Sequence, residues 1–440
     1  MISKTPTYNL MVVIKETGLK ADVLRAWEKR YGLPAPQRTQ GGHRLYSDYD
    51  IAVIMWLKSR LADGLSISRA VKLWKDLVAS GRMPLDEVWT SRPVAAPSAA
   101  HPSSADLVSL RNSWLEACLN FDTLRAEEIL NQALSWFPVE RVGEELLGEG
   151  LQQLGREWYQ GRVSVQQEHF ASAMAIRRIQ SLITAAPLPI RAQTLVIGCP
   201  PGELHTFSAL LLNLLLLHKG LRVVYLGAAL PLAQLGESIT AINPNLVILT
   251  AQQLVTAAGL VSLTKDLQLR GFPVAFGGWV FNQYPDLRSR IPGIFLGETL
   301  EDAVAKVEGL IQAPGGMVET HSLVNPYESL LLQFKQVRPA IDLTVESEFI
   351  KIGFSPERME EINTYMEERL VAALTLGNMD FLQGEMNWLQ SLIMNHGESI
   401  DHLRTFLQTY NKALEIQLGS QGQPISSWMR EYITGMPGGN

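Results

Sequence analysis

The chain has 440 residues, of which 46% are hydrophobic and 19% are charged, with a formal net charge of −6. This length and apolar content suffice for about three domains with buried cores and exclude a wholly disordered chain. The longest apolar run, residues 209–217, is about half the ~20 residues of a transmembrane helix, and the first residues are polar, so we expect a cytoplasmic protein without membrane contact.

Charge and composition divide the chain into segments. Residues 1–90 carry 14 Lys and Arg residues against 9 Asp and Glu residues, whereas the remainder carries 24 against 35. A basic head on an acidic body predicts that the head alone binds a polyanion. Stretches rich in Pro, Ala, Ser and Gly predict two linkers. The predicted organisation is a head (1–85), a linker (86–105), a helical bundle (106–187), an α/β domain (188–312), a second linker (313–327) and a C-terminal helical domain (328–440).

The head begins with a predicted helix-turn-helix. Residues 9–17 and 21–31 have helical patterns, and a turn containing Gly18 separates them. Residues 36–46 then predict a hairpin with a Gly-Gly tip, and a basic hairpin can lie along phosphates while a helix enters the major groove. The predicted DNA-contacting residues are Lys20, Arg25, Lys29, Arg30, Arg38, His43, Arg44 and Tyr46. On these grounds alone, a small helical domain with an incidentally basic loop is an equal alternative.

A longer motif favours the DNA-binding interpretation. The run from Ala26 to Leu33 (AWEKRYGL), Arg38 and the run from Gly42 to Tyr46 (GHRLY) resemble the winged-helix head of MerR-type transcription regulators. The resemblance covers about residues 8–78 and implies a dimer that binds an inverted-repeat operator in double-stranded DNA. Metal-sensing members of that family use cysteines that this chain lacks, so we expect a different signal.

The body changes pattern near residue 187. Apolar residues recur at helical spacing from 107 to 183, and breaks near residues 121, 138 and 161 predict four helices. Short apolar runs bounded by Gly or Pro follow, with helical stretches between them, which predicts a doubly wound parallel sheet. The predicted strands are residues 194–198, 222–226, 246–250, 273–276 and 293–296. Ligands of such sheets bind in the loops after the strands.

Those loops contain residues with useful chemistry. Glu203 and His205 follow the first strand, and imidazole is a good cobalt ligand whose second nitrogen a carboxylate can hold. Gly277 and Gly278 follow the fourth strand and leave room for a large flat group. Taken singly, a loop histidine is more often a surface residue and a glycine pair more often a turn. In the bundle, Trp158 is followed after nine residues by Glu168 and His169, on either side of a turn at Gly161.

Together these features resemble a known module. A four-helix bundle, the motif Glu203-x-His205-x-x-Ser208 and the Gly277-Gly278 pair resemble the cobalamin-binding module of methionine synthase and corrinoid proteins. With the head and the Trp158 to His169 spacing, residues 8–312 resemble the CarH/LitR family of light-sensing, cobalamin-dependent repressors. The resulting fold prediction is multidomain α and α/β: a winged helix-turn-helix head, a four-helix bundle with a doubly wound parallel-sheet cobalamin-binding domain, and an extra C-terminal helical domain.

The resemblance implies roles for individual residues. His205 corresponds to the lower axial ligand of cobalt in adenosylcobalamin, Trp158 packs over the upper face, and Glu168 contacts the adenosyl group. His169 corresponds to the residue that ligates cobalt after light removes the adenosyl group.

Three positions depart from the wider pattern. Glu203 replaces Asp, Ser208 replaces a Gly and crowds the entry of the nucleotide tail, and Thr250 stands where the family often has Ser near that tail.

The resemblance also implies a mechanism. Adenosylcobalamin favours an oligomer, a dimer or tetramer, that binds DNA, and light alters both oligomer and DNA affinity. Alternatives are a light-independent sensor of cobalamin level, a corrinoid carrier protein and a dual-chromophore photoreceptor. No nucleophile–base pair or phosphate-binding loop indicates catalysis, so we expect no enzymatic activity.

The C-terminal domain is an addition to this pattern. Residues 355–417 predict helices with a stripe of Leu, Met and aromatic residues. The simplest interpretation is a packing or dimerisation module. A second is another sensor, with His396 or His402 near a bilin or haem chromophore, and a third is a docking site for a partner protein.

Overall fold

A computed structural model describes most of the chain in two compact units, Met1–His101 and Pro102–Asn440. The described residues are 4–17, 19, 21–38, 44–62, 65–79, 103–231, 235–312, 324–351, 353–395 and 399–437. Most of the two predicted linkers therefore lies outside them, as do His396 and the hairpin tip. No helix in these ranges is long and apolar enough to cross a membrane.

The first unit is a winged helix-turn-helix. Strands β1 (Tyr8–Asn9), β3 (Arg44–Tyr46) and β2 (Gln37–Arg38) form an antiparallel sheet in that order. The helices in its described part are α1 (Leu10–Thr17), α2 (Ala21–Tyr31), α3 (Asp48–Ala62) and α4 (Ile67–Ala79). The pairing of Arg38 with Arg44 forms the predicted hairpin. Leu24 and Trp27 anchor α2 in a core with Ile54 and Leu57 of α3.

The second unit begins with the predicted bundle. Its helices are α5 (Ser104–Leu119), α6 (Thr123–Trp136), α7 (Val139–Arg141), a π-helix (Val142–Gly148), α8 (Glu149–Tyr159) and α9 (Val165–Thr184). The breaks have local causes: Asp122 caps α6 by accepting from the Arg125 N–H, Gly161 has a φ of +69°, and Ser164 forms a capping box with Gln167.

A five-stranded parallel sheet follows, as predicted. The strands are β4 (Thr194–Gly198), β5 (Arg222–Gly227), β6 (Leu246–Thr250), β7 (Val274–Gly277) and β8 (Ile294–Phe295), in the order β5-β4-β6-β7-β8. Their connections include α10 (Phe207–His218), α11 (Leu235–Ile242), α12 (Leu254–Leu269), α13 (Val280–Gln283), a 3-10 helix (Pro285–Ser289) and, after β8, α14 (Leu300–Gln312). Strand order reverses between β4 and β6, and the crevice at such a point is where doubly wound sheets bind ligands.

The bundle packs against α10 of this sheet domain. At Gly143 of the π-helix, a Cβ atom would lie only 2.5 Å from Leu211 Cδ1, so glycine allows the two helices to approach closely. Apolar residues of the bundle, the sheet and α10 form one continuous core, which includes Trp114, Leu146, Ile197 and Leu211. This shared core fixes the end of the bundle above one face of the sheet domain.

The described residues after 324 form α15 (Glu328–Ile350), α16 (Pro356–Leu376), α17 (Phe381–Asn395), α18 (Ile400–Leu418), a 3-10 helix (Gly419–Gly422) and α19 (Gln423–Gly435). The sequence pattern predicts helices only between 355 and 417, so α15 and α19 are additions. Helix α16 packs on α12, and Ala372, Leu376 and Phe381 join the core on that side of the sheet. The C-terminal helices therefore form one compact unit with the bundle and the sheet.

Candidate functional site

The loop after β4 holds a histidine in a defined orientation. Glu203 is 0% exposed, and its Oε1 lies 2.7 Å from Nδ1 of His205, whose side chain is 61% exposed. When Nδ1 carries the proton and donates it to the carboxylate, the lone pair of Nε2 is available to a metal. The predicted Glu203–His205 contact is therefore present at the switch point of the sheet.

Four donors hold the Glu203 carboxylate. Oε1 also accepts from the His205 backbone N–H at 2.9 Å, and Oε2 accepts from the Gln252 N–H at 2.7 Å and from Thr256 Oγ1 at 2.6 Å. Burial by itself raises the pKa of this carboxyl, but these hydrogen bonds outweigh burial, and the net pKa is lowered. The pKa of His205 is raised, chiefly by its hydrogen bond to Glu203 and against the effect of burial. Glu203 is therefore ionised and rigid beneath the imidazole.

Gln252 and Thr256 are site residues that the sequence analysis missed. They follow β6, about fifty positions from Glu203, and no local spacing connects them to it. The Gln252 side chain also accepts from the N–H of Trp279 at 2.9 Å, which links the loops after β4, β6 and β7. Only the parallel register of these strands brings the three loops together.

The two glycines after β7 differ in how much space surrounds the position of a Cβ atom. Gly278 has a φ of +129°, and a Cβ atom there would lie 1.9 Å from the Ala251 carbonyl oxygen. Backbone packing therefore requires Gly278, and room for a flat group beside this glycine stays a prediction. At Gly277, which is buried, an added Cβ would lie 4.0 Å from Leu296 Cβ, an ordinary van der Waals distance, so an alanine side chain fits there. Thr250 is buried, with its hydroxyl 3.4 Å from Cys199 Sγ, and Ser208 is half-buried in the first turn of α10.

The bundle supplies the second group of predicted residues. Trp158 packs partly buried at the end of α8, and Glu168 and His169 lie in the first turn of α9. Glu168 accepts from Ser172 Oγ at 2.6 Å, while the His169 side chain is 75% exposed and its Nε2 lies 3.8 Å from Glu168. Glu168 is close enough to His205 to contribute to the raised pKa of that imidazole. The start of α9 thus faces the loop after β4.

These residues fit a corrinoid. Gln252 Nε2 is buried without a hydrogen-bond partner among the described residues, which leaves a donor for a ligand at the switch point. Leu204 and Trp279 expose apolar surface beside the same loops, which suits a large flat ring. His205 would hold cobalt, and the buried Gly277 and Thr250 would border the nucleotide tail.

In the head, three predicted DNA-contacting side chains are exposed on α2. Arg25, Lys29 and Arg30 all lie on the solvent side of that helix. Arg44 instead pairs with Glu28 of α2, Nε to Oε2 at 2.7 Å, and so fastens the hairpin to the helix. Lys20, His43 and the side chain of Arg38 lie outside the described residues.

Tyr46 is a correction to the predicted DNA-contacting set. Its side chain is 1% exposed in the core of the head, and burial is the main cause of its raised pKa. Since Tyr46 is the last residue of β3, strand alternation points it inward while its neighbour Leu45 is partly exposed. Its place in the motif reflects packing of the hairpin on the helices.

Comparisons with known proteins agree with both halves of this description. The MerR HTH family regulatory protein model matches residues 8–77, and the B12 binding domain model matches residues 110–183. The HTH-type transcriptional repressor CarH of Myxococcus xanthus is 32% identical over 303 residues, which cover 68% of this chain and 98% of CarH. The repressor CarA of the same organism is 28% identical over 278 residues, covering 62% of this chain and 86% of CarA.

A solved structure, the monomethylamine corrinoid protein of Methanosarcina barkeri, is 15% identical with a TM-score of 0.38, covering 47% of this chain and all of that protein. The assignment therefore rests on the sequence matches, which join a DNA-binding head to a cobalamin-binding body. The chain belongs to the family of MerR-type, B12-binding transcription regulators that includes CarH and CarA.

Proposed function

We propose that this transcription regulator is a photoreceptor that holds adenosylcobalamin between α8–α9 and the loops after β4, β6 and β7. The observation that carries the proposal is the buried Glu203 carboxylate 2.7 Å from Nδ1 of an exposed His205. When bound, adenosylcobalamin supplies a cobalt–carbon bond that visible light breaks.

His205 and Glu203 act on the lower side. The carboxylate holds the Nδ1 proton, so that Nε2 presents its lone pair, and the hydrogen bonds from Gln252 and Thr256 prevent rotation of the carboxylate. Ser208 and Thr250 place hydroxyl groups near the path assigned to the nucleotide tail.

Trp158, Glu168 and His169 act on the upper side. The Trp158 indole would cover the adenosyl group, and the Glu168 carboxylate would accept hydrogen bonds from the hydroxyl or amino groups of that adenosyl group. His169 is exposed and lies one residue from Glu168, so its side chain could turn to hold cobalt when the adenosyl group is absent. Such a movement shifts α9 relative to the sheet domain and alters the surface that protomers share.

Loss of protomer contacts lowers DNA affinity because joined heads bind an operator as one multivalent unit. An inverted-repeat operator requires two heads, so a homo-oligomer, a dimer or tetramer, is part of the proposal. Cobalamin binding in the second unit thus controls DNA affinity by determining whether two heads are held together.

The test is an absorption spectrum with adenosylcobalamin before and after green light, with molar mass measured on the same samples. We expect a bound spectrum that changes in light together with the mass. If neither the absorption spectrum nor the molar mass changes in light, the photoreceptor proposal is wrong and a sensor of cobalamin level is favoured. A corrinoid carrier predicts binding of cobalamin without any effect on DNA affinity.

Substitutions separate the two histidines. His205→Ala should remove the lower-ligand signature in the dark, whereas His169→Ala should bind normally in the dark and lose the light-dependent change of mass. His218→Ala is the matched control, since His218 lies at the end of α10 near Glu140. An H169A protein that still changes mass fully in light would contradict the proposed upper-side switch.

A further inference from the structure

The C-terminal helices contact the bundle beside Trp158. The rings of Trp158 and Trp388, from α17, have centroids 6.3 Å apart at 39°. Trp388 also stacks on Tyr159, with centroids 5.8 Å apart at 19°. An aromatic residue of the added domain therefore contacts the residue assigned to the upper face of the cofactor.

Polar contacts fix the same junction. The Tyr159 hydroxyl donates to the Trp388 carbonyl at 3.4 Å, and Asn395 Nδ2 donates to the Tyr159 carbonyl at 3.0 Å. A Cβ atom at Gly161 would lie 3.3 Å from the Asn395 carbonyl oxygen, so this turn approaches α17 closely. Trp388 and Asn395 are seven residues apart and thus share one face of α17.

We propose that Trp388 is a positioning residue, which holds the Trp158 indole over the upper face and so contributes to selection of the upper cobalt ligand. This inference rests on the proposed cofactor site. The tilted contact with Trp388 restricts the ring orientation of Trp158, and aromatic pairs of this kind correspond to about a two- to tenfold effect on an equilibrium.

The test compares affinities for adenosylcobalamin and hydroxocobalamin, because only the first carries a large upper group. Trp388→Ala should lose about two- to tenfold for adenosylcobalamin with little change for hydroxocobalamin, and Trp388→Phe should restore most of the loss. Trp428→Ala is the matched control, since Trp428 of α19 stacks on Tyr432 at 5.5 Å in the same set of helices. Equal losses for both cobalamins would assign Trp388 a merely structural role and overturn the inference.

A readout without cofactor completes the design. Unfolding of the apo-protein in a Trp158→Ala and Trp388→Ala double-mutant cycle should show coupling, and additive effects would contradict the contact. If wild-type protein fails to bind adenosylcobalamin, the proposed function fails, and this cycle still reports whether Trp388 positions Trp158.

A second, independent observation is a cavity of about 290 Å³ among α15, α16, α17 and α18. Its lining is mainly apolar, with aromatic, Met and aliphatic side chains, and includes Phe349, Phe354, Met366, Met386, Leu389 and Phe406. This volume is roughly twice the ~150 Å³ of an apolar cavity that binds benzene. Arg358, Glu361 and His402 also line it and carry both signs of charge.

We infer that this cavity binds a compact, uncharged molecule of about two aromatic rings. Aromatic edges and polarisable Met sulfur atoms favour a flat apolar ligand, and lining groups of mixed sign favour no net charge. Met386, Leu389 and Ile393 line the cavity from the side of α17 opposite Trp388, as the helical period requires.

The probe is naphthalene, titrated by fluorescence against the full chain. Wild-type protein should bind it, and Leu389→Phe or Ile393→Phe, which fill the cavity, should weaken binding at least about tenfold. Leu343→Phe, at an exposed position of α15, is the control and should bind as wild type does. If the wild type does not bind naphthalene, or if both cavity-filling variants bind it as tightly as the wild type does, the inferred binding site is wrong.

Discussion

At the scale of single residues, the site depends on one carboxylate that satisfies four donors. A carboxylate has two oxygens that accept hydrogen bonds, so Glu203 can serve two groups on each oxygen. A Gln side chain has one acceptor oxygen and one NH2 group that only donates. In place of Glu203, its NH2 group would therefore face hydrogen-bond donors instead of acceptors. The identity of residue 203 is therefore as important to the loop as to the histidine.

We expect Glu203→Gln to lower the free energy of unfolding of the apo-protein by about 1–3 kcal/mol and to weaken cobalamin binding about 10- to 100-fold. Since the folded pKa of Glu203 is lowered, its stabilisation is present above its unfolded pKa and is lost as pH falls through the folded pKa. Urea unfolding at several pH values checks both points. Glu308→Gln, which removes the surface pair with Arg191, should cost at most about 1 kcal/mol, and an equal cost at both sites would contradict the prediction.

The head allows a similar separation of surface and core. Arg30→Ala should weaken DNA binding and reduce the slope of log affinity against log salt by about 0.9, the value for one phosphate contact. Tyr46→Ala should instead lower the stability of the head by about 3–5 kcal/mol, since a large buried side chain is lost. Binding titrations at several salt concentrations and thermal unfolding distinguish them. A salt slope that fell with Tyr46→Phe would show that the buried assignment is wrong.

Sequence patterns predicted the residues whose neighbours are local. Glu203 and His205 are two positions apart, so their contact follows from spacing alone. Gln252, Thr256 and Trp388 lie far in sequence from the residues they contact, so no local sequence pattern predicts their contacts. The prediction for Tyr46 was wrong because the basic hairpin motif does not indicate which side chains of β3 are buried.

At the scale of elements, the strands were predicted almost to the residue because Gly and Pro bound short β-branched runs. Helix α15 was missed because it contains Pro339, which removes a backbone hydrogen bond. It forms nonetheless because it buries a stripe of Leu330, Phe334, Ile341 and Val345. Tertiary packing thus outweighs a local penalty that the sequence displays.

The end of β7 provides a test at this scale. Gly278→Ala should lower the free energy of unfolding of the apo-protein by about 2–4 kcal/mol, because its Cβ meets the Ala251 backbone at a positive φ. Gly277→Ala should leave apo stability within about 1 kcal/mol of wild type, because its Cβ would lie at an ordinary distance of 4.0 Å from Leu296 Cβ. It should weaken cobalamin binding, because the proposed path of the nucleotide tail passes beside this position. Unfolding and cobalamin titration of both variants check this. Normal cobalamin affinity in the Gly277 variant would exclude that path for the tail.

At the scale of the whole molecule, the two compact units separate the two binding activities. We expect a fragment of residues 102–440 to bind cobalamin with the affinity of the full chain, within about threefold, and to lose operator binding. A titration with each ligand measures both. A fragment that no longer binds cobalamin would show that the first unit contributes to the cofactor site.

A surface that helices of the same chain already cover is not available to another copy of that chain. Helix α16 occupies the outer side of α12, so this surface is unavailable to a second protomer. In the proposed oligomer, contacts between protomers therefore lie outside the surface of α12 that α16 covers.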